Sequence, residues 1–253
     1  MDDYEKRIKN EQGFHNSDDW RKNREHLEKY RSIFTKEKGT KAYRDKIIME
    51  NIRPDYSVFL DYGCGNGSYM LNISDKIKSG YGIDLSKKEI ESVSKECEEK
   101  KVKNIHYSVM DAMNTEFDNK TFDIIHGNAI LHHLDLEKSI TEIKRILKDD
   151  GVGVFIEPLS TNPIIELYRK LTPKLRTPDE RPFRIKELKL LKKNFKNIKI
   201  KYFGCFTLLA VMFRKSKHFE KILNILYSMD DAILSSKSPF KLLAWVCVIE
   251  LRK

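Results

Sequence analysis

The stretch Val58-Phe59-Leu60-Asp61-Tyr62-Gly63-Cys64-Gly65-Asn66-Gly67 constrains the fold of this chain more than any other. A short apolar run closes on an acid, and three glycines follow at alternate positions. An apolar run of this length over Ser57 to Tyr62 suits a strand buried on both faces. Glycine lets the backbone take positive φ and approach a ligand closely. The residues from Ser68 then predict a helix to about Lys78. Strand, tight loop and helix together make the first half of a βαβ unit, which requires a parallel sheet.

The alternation continues downstream. Strands are predicted at Gly80 to Asp84, Ile105 to Val109, Phe122 to Gly127 and Val152 to Glu157. Ser86 can cap a helix running to about Lys101, with Glu89 at the capping-box position. A further helix is predicted from Leu136 to Leu147, with Gly151 as its breaker. The fold class that follows is α/β, a doubly wound, mostly parallel sheet of seven strands. Right-handed crossovers place the loops that follow the strands along one edge, where such sheets bind ligands. Residues 1–52 are polar, with sparse aromatics, and read as a helical cap or lid. Its clearest helix spans Lys41 to Ile52 and ends before Pro54. Beyond Glu157 the prolines at 158, 163, 173, 178 and 182 loosen the pattern. Helices are predicted at Ile164 to Leu171, Ile185 to Phe195 and Phe219 to Leu234, and strands at Ile198 to Phe203 and Trp245 to Leu251. The main domain thus covers residues 53–253, with cap insertions at about 158–183 and 204–240.

A chain of 253 residues suits one domain with a small cap. Net charge is +10, but the lysines are spread along the whole chain, as on a solvated surface. Cys64, Cys97, Cys205 and Cys247 form no Cys-x-x-Cys pair, so reduced thiols and no zinc site are expected. The N-terminus lacks the apolar core of a signal peptide. The apolar runs Phe206 to Phe213 and Leu242 to Ile249 fall short of the about 20 residues that span a bilayer, and read as buried strand or cap surface. A cytoplasmic protein, monomer or homodimer, is expected.

Two further acids fall at strand ends, Asp84 after the second strand and Asp111 after the third. A carboxylate at Asp84 is placed to accept both hydroxyls of a ribose, and Asp111 to reach an adenine amino group. The loop is Gly-x-Gly-x-Gly, whereas the dinucleotide fingerprint is Gly-x-Gly-x-x-Gly with the pyrophosphate on a helix N-terminus. An acid beside the loop would repel a pyrophosphate. It suits a ligand that carries an ammonium and a sulfonium.

On these residues the segment from about Ser57 to Glu157 resembles the class I S-adenosylmethionine-dependent methyltransferases, within the broad group that includes the ubiquinone and menaquinone biosynthesis enzymes. The resemblance is carried by Leu60 to Gly67, Gly82-Ile83-Asp84-Leu85-Ser86, Met110-Asp111-Ala112, Phe122-Asp123-Ile124-Ile125, Leu131-His132-His133-Leu134, and Lys148 to Val152. It implies S-adenosylmethionine as cofactor and S-adenosylhomocysteine as product. Asp61 and Gly63 would hold the methionine end, and Cys64 and Gly65 would let the cofactor lie against the loop. Asp84 would bind the ribose with Leu85 beside the adenine. Met110, Asp111 and Ala112 would line the adenine edge, and Asn128 would sit near the methyl group.

A sulfonium methyl is already activated, so such an enzyme chiefly needs in-line positioning. A base is required only when the acceptor must lose a proton. His132, His133 and Glu157 are the candidate bases, with a purely structural turn at Leu131 to Leu134 as the other reading. The resemblance places acceptor recognition in residues 1–52, 158–183 and 204–240. Phe14 and Trp20 read as lid or packing aromatics. Tyr168 and Arg169 are candidate substrate residues within a basic stretch, and Cys205 to Phe213 reads as an apolar pocket wall. The expected acceptor is a small, amphiphilic or anionic molecule. The positive charge keeps an RNA or protein acceptor as the alternative, although Gly127-Asn128-Ala129-Ile130 stands where base-nitrogen methylation would use an Asn-Pro-Pro-Tyr type motif. A non-catalytic cofactor-binding protein is the third reading.

Overall fold

β1 (Val58–Tyr62) is buried on both faces, with Leu60 and Tyr62 on one face of a sheet and Phe59 and Asp61 on the other. The remaining strands are β2 (Ser79–Asp84), β3 (Ile105–Val109), β4 (Phe122–Asn128), β5 (Leu147–Pro158), β6 (Asn197–Phe203) and β7 (Val246–Arg252). They form one sheet in the order β3-β2-β1-β4-β5-β7-β6. The first five run parallel, and β7 runs antiparallel to both β5 and β6. The computed structural model describes Gly13 and residues 39–172, 181–235 and 237–253, and of Tyr168 and Val211 the backbone alone.

Helices cover both faces. On one, α1 (Thr40–Asn51), α2 (Ser68–Leu71) and α3 (Lys87–Glu99) bring Ile47, Ile48, Met70 and Val93 onto Phe59, Ile124 and Val154. On the other, α4 (Leu136–Ile146) and α6 (Ile185–Asn194) bring Ile140, Ile143, Leu188 and Leu191 onto Leu60, Ile125 and Phe155. Capping follows the sequence. Ser86 accepts from the Glu89 amide at 3.3 Å, and Asp135 accepts from the first-turn amides of α4. Two more helices, α5 (Pro163–Leu171) and α7 (Phe219–Ile233), lie in the two expected insertions. Strand order reverses between β1 and β4. The crevice where this fold class binds ligands therefore lies at their carboxyl ends.

Three sequence expectations need correction. The helix from Ser68 is a single turn to Leu71, followed by a 3-10 turn at Ser74–Lys76. The Asn104 side-chain amide, 30 residues away, donates to the carbonyls of Ser74 and Ile77 and closes the helix early. Gly151 does not break α4, which stops at Ile146 as the chain enters β5 directly. It lies within β5, beside a register shift against β4, where a Cβ would come 2.7 Å from Leu147 Cδ1 and 3.1 Å from the Asp123 carbonyl oxygen. Finally, Phe206–Phe213 is a 3-10 stretch that packs on α7 around Ala210, Leu223 and Tyr227. Leu209, Met212 and Phe213 are exposed, so this run is cap surface and not a strand. β5 begins five residues before its expected start at Val152, and the other strand and helix ends lie within two residues of expectation. No helix among the described residues is long and apolar enough to cross a membrane.

Ile124 is fully buried at the centre of this sheet. Replacing it with alanine is expected to cost about 2–5 kcal/mol in urea unfolding, by loss of transfer energy and creation of a cavity. Lys95→Ala, on the exposed side of α3, should stay within about 0.5 kcal/mol of the parent.

Candidate active site at the carboxyl edge of the sheet

The three loop glycines have φ of 75°, 50° and 64° at Gly63, Gly65 and Gly67. These are left-handed conformations, which cost an L side chain roughly 1–2 kcal/mol each. The amides of Gly63 and Cys64 both donate to the Ile83 carbonyl at 2.9 Å, folding the loop over the end of β2. The Gly65 amide donates to Asp84 Oδ2 and the Ser86 amide to Asp84 Oδ1, each at 2.8 Å. Gly67 is needed for packing as well. A Cβ there would lie 2.4 Å from Val93 Cγ2, and the Tyr107 hydroxyl donates to the Gly67 carbonyl at 2.9 Å.

Asp61 and His126 are register partners on β1 and β4, so both side chains lie on the face covered by α1. Both are buried, with His126 Nδ1 2.8 Å from Asp61 Oδ1. Arg44, reaching down from α1, puts Nη1 3.4 Å from His126 Nε2 and its guanidinium carbon 3.9 Å from the centre of the Tyr69 ring. The Tyr69 and His126 rings are 4.5 Å apart. Burial lowers the His126 pKa, against the opposing pull of Asp61. It also raises the Tyr69 hydroxyl, with Asp45 among the lesser contributors. Despite that proximity, the hydroxyl is buried with no hydrogen-bond partner of acceptable geometry.

The expected cofactor residues converge on this edge. Asp61, Gly63, Cys64, Gly65, Asp84 and Leu85 sit at the adjoining ends of β1 and β2. Met110, Asp111 and Ala112 follow β3, where Asp111 Oδ1 accepts from the Met113 amide at 2.9 Å and the Tyr62 hydroxyl donates to the Ala112 carbonyl. The Cys64 thiol is buried, which pushes its pKa up. Asn128 ends β4, exposed, and is followed by Ala129 at φ 57°.

Glu157, near the end of β5, is fully buried. Its Oε1 accepts from the amides of Ile130 (3.1 Å) and Leu131 (2.8 Å). Its Oε2 accepts from the His132 amide (3.4 Å) and lies 2.7 Å from His132 Nδ1. Burial pushes its carboxyl up to about 7, opposed mainly by the Leu131 and Ile130 amides, then by His133 and the His132 amide. These four donors use the whole acceptor capacity of a carboxylate. Glu157 is thus the orienter of the Leu131–His133 turn, and His132 is left with Nε2 as its acceptor nitrogen. The His133 ring lies 4.1 Å from that of His132 and is half-buried.

Of the substrate-side candidates, Arg169 is taken up structurally, donating to the Leu159 carbonyl at 2.8 Å and pairing with Glu166. Phe14, Trp20 and the Tyr168 side chain lie outside the described residues. Sequence reasoning missed Arg44, Tyr69, Tyr107 and His126. Arg44 did leave a signal, since it shares the helical spacing of Ile47 and Ile48. So did His126, a polar residue in the middle of an otherwise apolar strand.

Residues 60–155 match a model of the methyltransferase domain. That segment is thus similar to a methyltransferase domain, and the structure has the Rossmann-like methyltransferase fold. An uncharacterized methyltransferase of Bacillus subtilis, YcgJ, is 30% identical over 121 residues, covering 47% of this chain and 48% of that protein. Its crystal structure superposes with a TM-score of 0.58 at 18% identity, covering 85% of this chain and 99% of the other. The demethylmenaquinone methyltransferase of Lactococcus lactis is 30% identical over 115 residues, 44% of this chain and 45% of that protein. The geranyl diphosphate C-methyltransferase of Streptomyces coelicolor shares the fold, with a TM-score of 0.61 at 17% identity over 84% of this chain and 80% of the other. The chain spans about half the length of the curated relatives it matches.

A carboxyl raised by burial is penalised in its charged form, so the fold binds its proton more tightly than the unfolded chain does. Glu157 therefore withdraws stability as pH rises from about 4.5 to about 7. Relative to the parent, Glu157→Gln should gain on the order of 2–3 kcal/mol across that window in urea titrations. A constant difference between the two proteins at all pH values would overturn this.

Proposed function

We propose that the chain transfers the methyl group of S-adenosylmethionine to a small-molecule acceptor. One observation carries this reading: three acids, Asp61, Asp84 and Asp111, stand at the ends of three adjacent strands around a loop of three left-handed glycines. The residues fit the cofactor. Each Asp84 oxygen has accepted one amide proton and keeps a lone pair, which matches the two hydroxyls of a ribose. Asp61 would face the ammonium of the methionine end, beside Gly63, Cys64 and Gly65. Leu85, Met110, Asp111 and Ala112 would receive the adenine, and Asn128 would lie near the reacting methyl.

When bound, the sulfonium supplies an activated methyl group for in-line displacement. The protein's own work is to hold the acceptor in line with it and to exclude water. For an acceptor that must lose a proton, His132 Nε2 is the base, positioned by the His132 Nδ1 bond to Glu157. His133 packs against it and is the second candidate. The cap favours an amphiphilic or anionic acceptor, because exposed Leu209, Met212 and Phe213 run directly into Arg214, Lys215 and Lys217. The quinone acceptor in the name of the Lactococcus lactis relative is a small molecule as well. An RNA acceptor is favoured by the net charge, but many lysines are spent in exposed pairs such as Lys46–Glu50, Lys87–Glu91 and Lys95–Glu99.

Calorimetric titration with S-adenosylhomocysteine tests the core of this reading. The parent should bind, and Asp84→Asn should bind at least about tenfold more weakly, because charged acceptors for the ribose are lost. A folded parent that binds neither S-adenosylmethionine nor its product would refute the proposal.

A further inference from the structure

Above Asp61 sits a buried nest of polar groups that methyl transfer does not itself require. It contains His126 from β4, Arg44 from α1 and Tyr69 from α2, with Phe59 of β1 beneath and Asp45 of α1 at its solvent-exposed rim. We propose that His126 is a positioning residue that holds Asp61 toward the methionine end of the cofactor and ties it to Arg44, so that seating α1 and loading the cofactor are linked. This rests on the cofactor reading of Asp61 given above.

The hydrogen-bond chemistry of the nest permits one arrangement. A carboxylate only accepts and a guanidinium only donates. The imidazole between them must donate from Nδ1 to Asp61 and accept at Nε2 from Arg44. Only the neutral ring with its proton on Nδ1 does both. The bond fixes Asp61 Oδ1, while Oδ2 makes no hydrogen bond among the described residues. Asp61 thus keeps one oxygen for an ammonium, in an orientation set from behind by His126. Arg44 is buried, stacks on Tyr69 and pairs with Asp45 of its own helix, so the relay reaches the backbone of α1. The Tyr69 hydroxyl, buried without a hydrogen-bond partner among the described residues, lies next to the relay.

Protonating His126 would set its Nε2–H against the Arg44 N–H, donor against donor. Burial, the largest influence on this ring, already disfavours that charge, and Arg44 adds to it while Asp61 and Asp45 oppose. The relay is therefore intact above the ordinary histidine value of about 6.5, and it fails only as pH falls through the lower value that burial sets for this ring. Reciprocity then applies: if α1 seating strengthens cofactor binding, cofactor binding must protect α1.

His126→Asn, His126→Leu and Arg44→Gln separate the two halves of the relay. Asparagine keeps a donor for Asp61 at the position of Nδ1, but cannot titrate or accept from Arg44. S-adenosylhomocysteine binding is measured by calorimetry at about pH 7.5 and at steps down to the most acid pH at which the parent stays folded. Hydrogen exchange of residues 40–51 is followed with and without the ligand. At the higher pH, His126→Leu should bind about tenfold more weakly, and His126→Asn within about threefold of the parent. The parent should weaken as pH falls while His126→Asn stays level. The ligand should slow α1 exchange in the parent but not in His126→Asn or Arg44→Gln. If His126→Leu is unstable, the asparagine and glutamine variants carry the test alone. Parent affinity and parent pH slope in the folded His126 variants would overturn the inference. Failure of the parent itself to bind would instead refute the cofactor reading.

Discussion

Burying Asp61 is the step on which much of the arrangement depends. A carboxylate enclosed between Phe59 and the helical layer loses hydration worth several kcal/mol, and only a close donor or cation recovers it. His126 supplies the donor from the neighbouring strand, which fixes the register of β1 against β4. Arg44 supplies the cation from α1, which fixes where that helix lies on the sheet. Both requirements meet at the point where strand order reverses and the crevice opens. The same contacts that make a charged residue tolerable in the core leave it at the mouth of the site.

A second buried acid, Glu157, is handled differently. It is surrounded by amides and one imidazole, all donors, and it organises the turn that carries His132 and His133. The two nests respond to burial with opposite signs. Neutral His126 is favoured by the fold, which withdraws stability toward acid. Neutral Glu157 is favoured too, which withdraws stability as pH rises toward about 7. A neutral His126 and an ionised Glu157, the forms that these hydrogen bonds require, are therefore present together above about 7.

The β strands and the glycine loop were legible because their signals are local. A run of four to seven apolar residues, an acid and glycines at positive φ all lie within a dozen positions. The acids at 61, 84 and 111 were legible because strand ends can be counted. What the sequence hid depends on partners far along the chain. Asn104 ends the helix after the glycine loop from 30 residues away, and Arg44 meets His126 across 82. Gly151 looked like a helix stop because nothing local reveals that β5 begins four residues earlier and that Leu147 and Asp123 crowd the position. Glu157 was visible as an acid near a strand end. Its role as a holder of amides depended on the Ile130–His132 backbone turning back over it, which no spacing rule contains.

The unit between β6 and β7 is built on different terms. The stretch Phe206–Phe213 and α7 pack mainly on each other, in a small cluster around Ala210, Leu223 and Tyr227 that is separate from both layers of the main core. Buried Asp230 of α7 clasps the start of that stretch, accepting from the amides of Cys205, Phe206 and Thr207 and from the Thr207 hydroxyl. Apart from Asp231, which pairs with Lys201 of β6 at 3.1 Å, exposed residues of this unit such as Leu209, Met212 and Ile225 can change at little cost to the fold. The glycine loop has no such freedom, because its three left-handed positions, Asp84 on the Gly65 and Ser86 amides and Asp61 on His126 are all used by the fold itself. Under the function proposed above, cofactor binding is thus bound up with folding, whereas acceptor choice would ride on a satellite that folding leaves largely unconstrained.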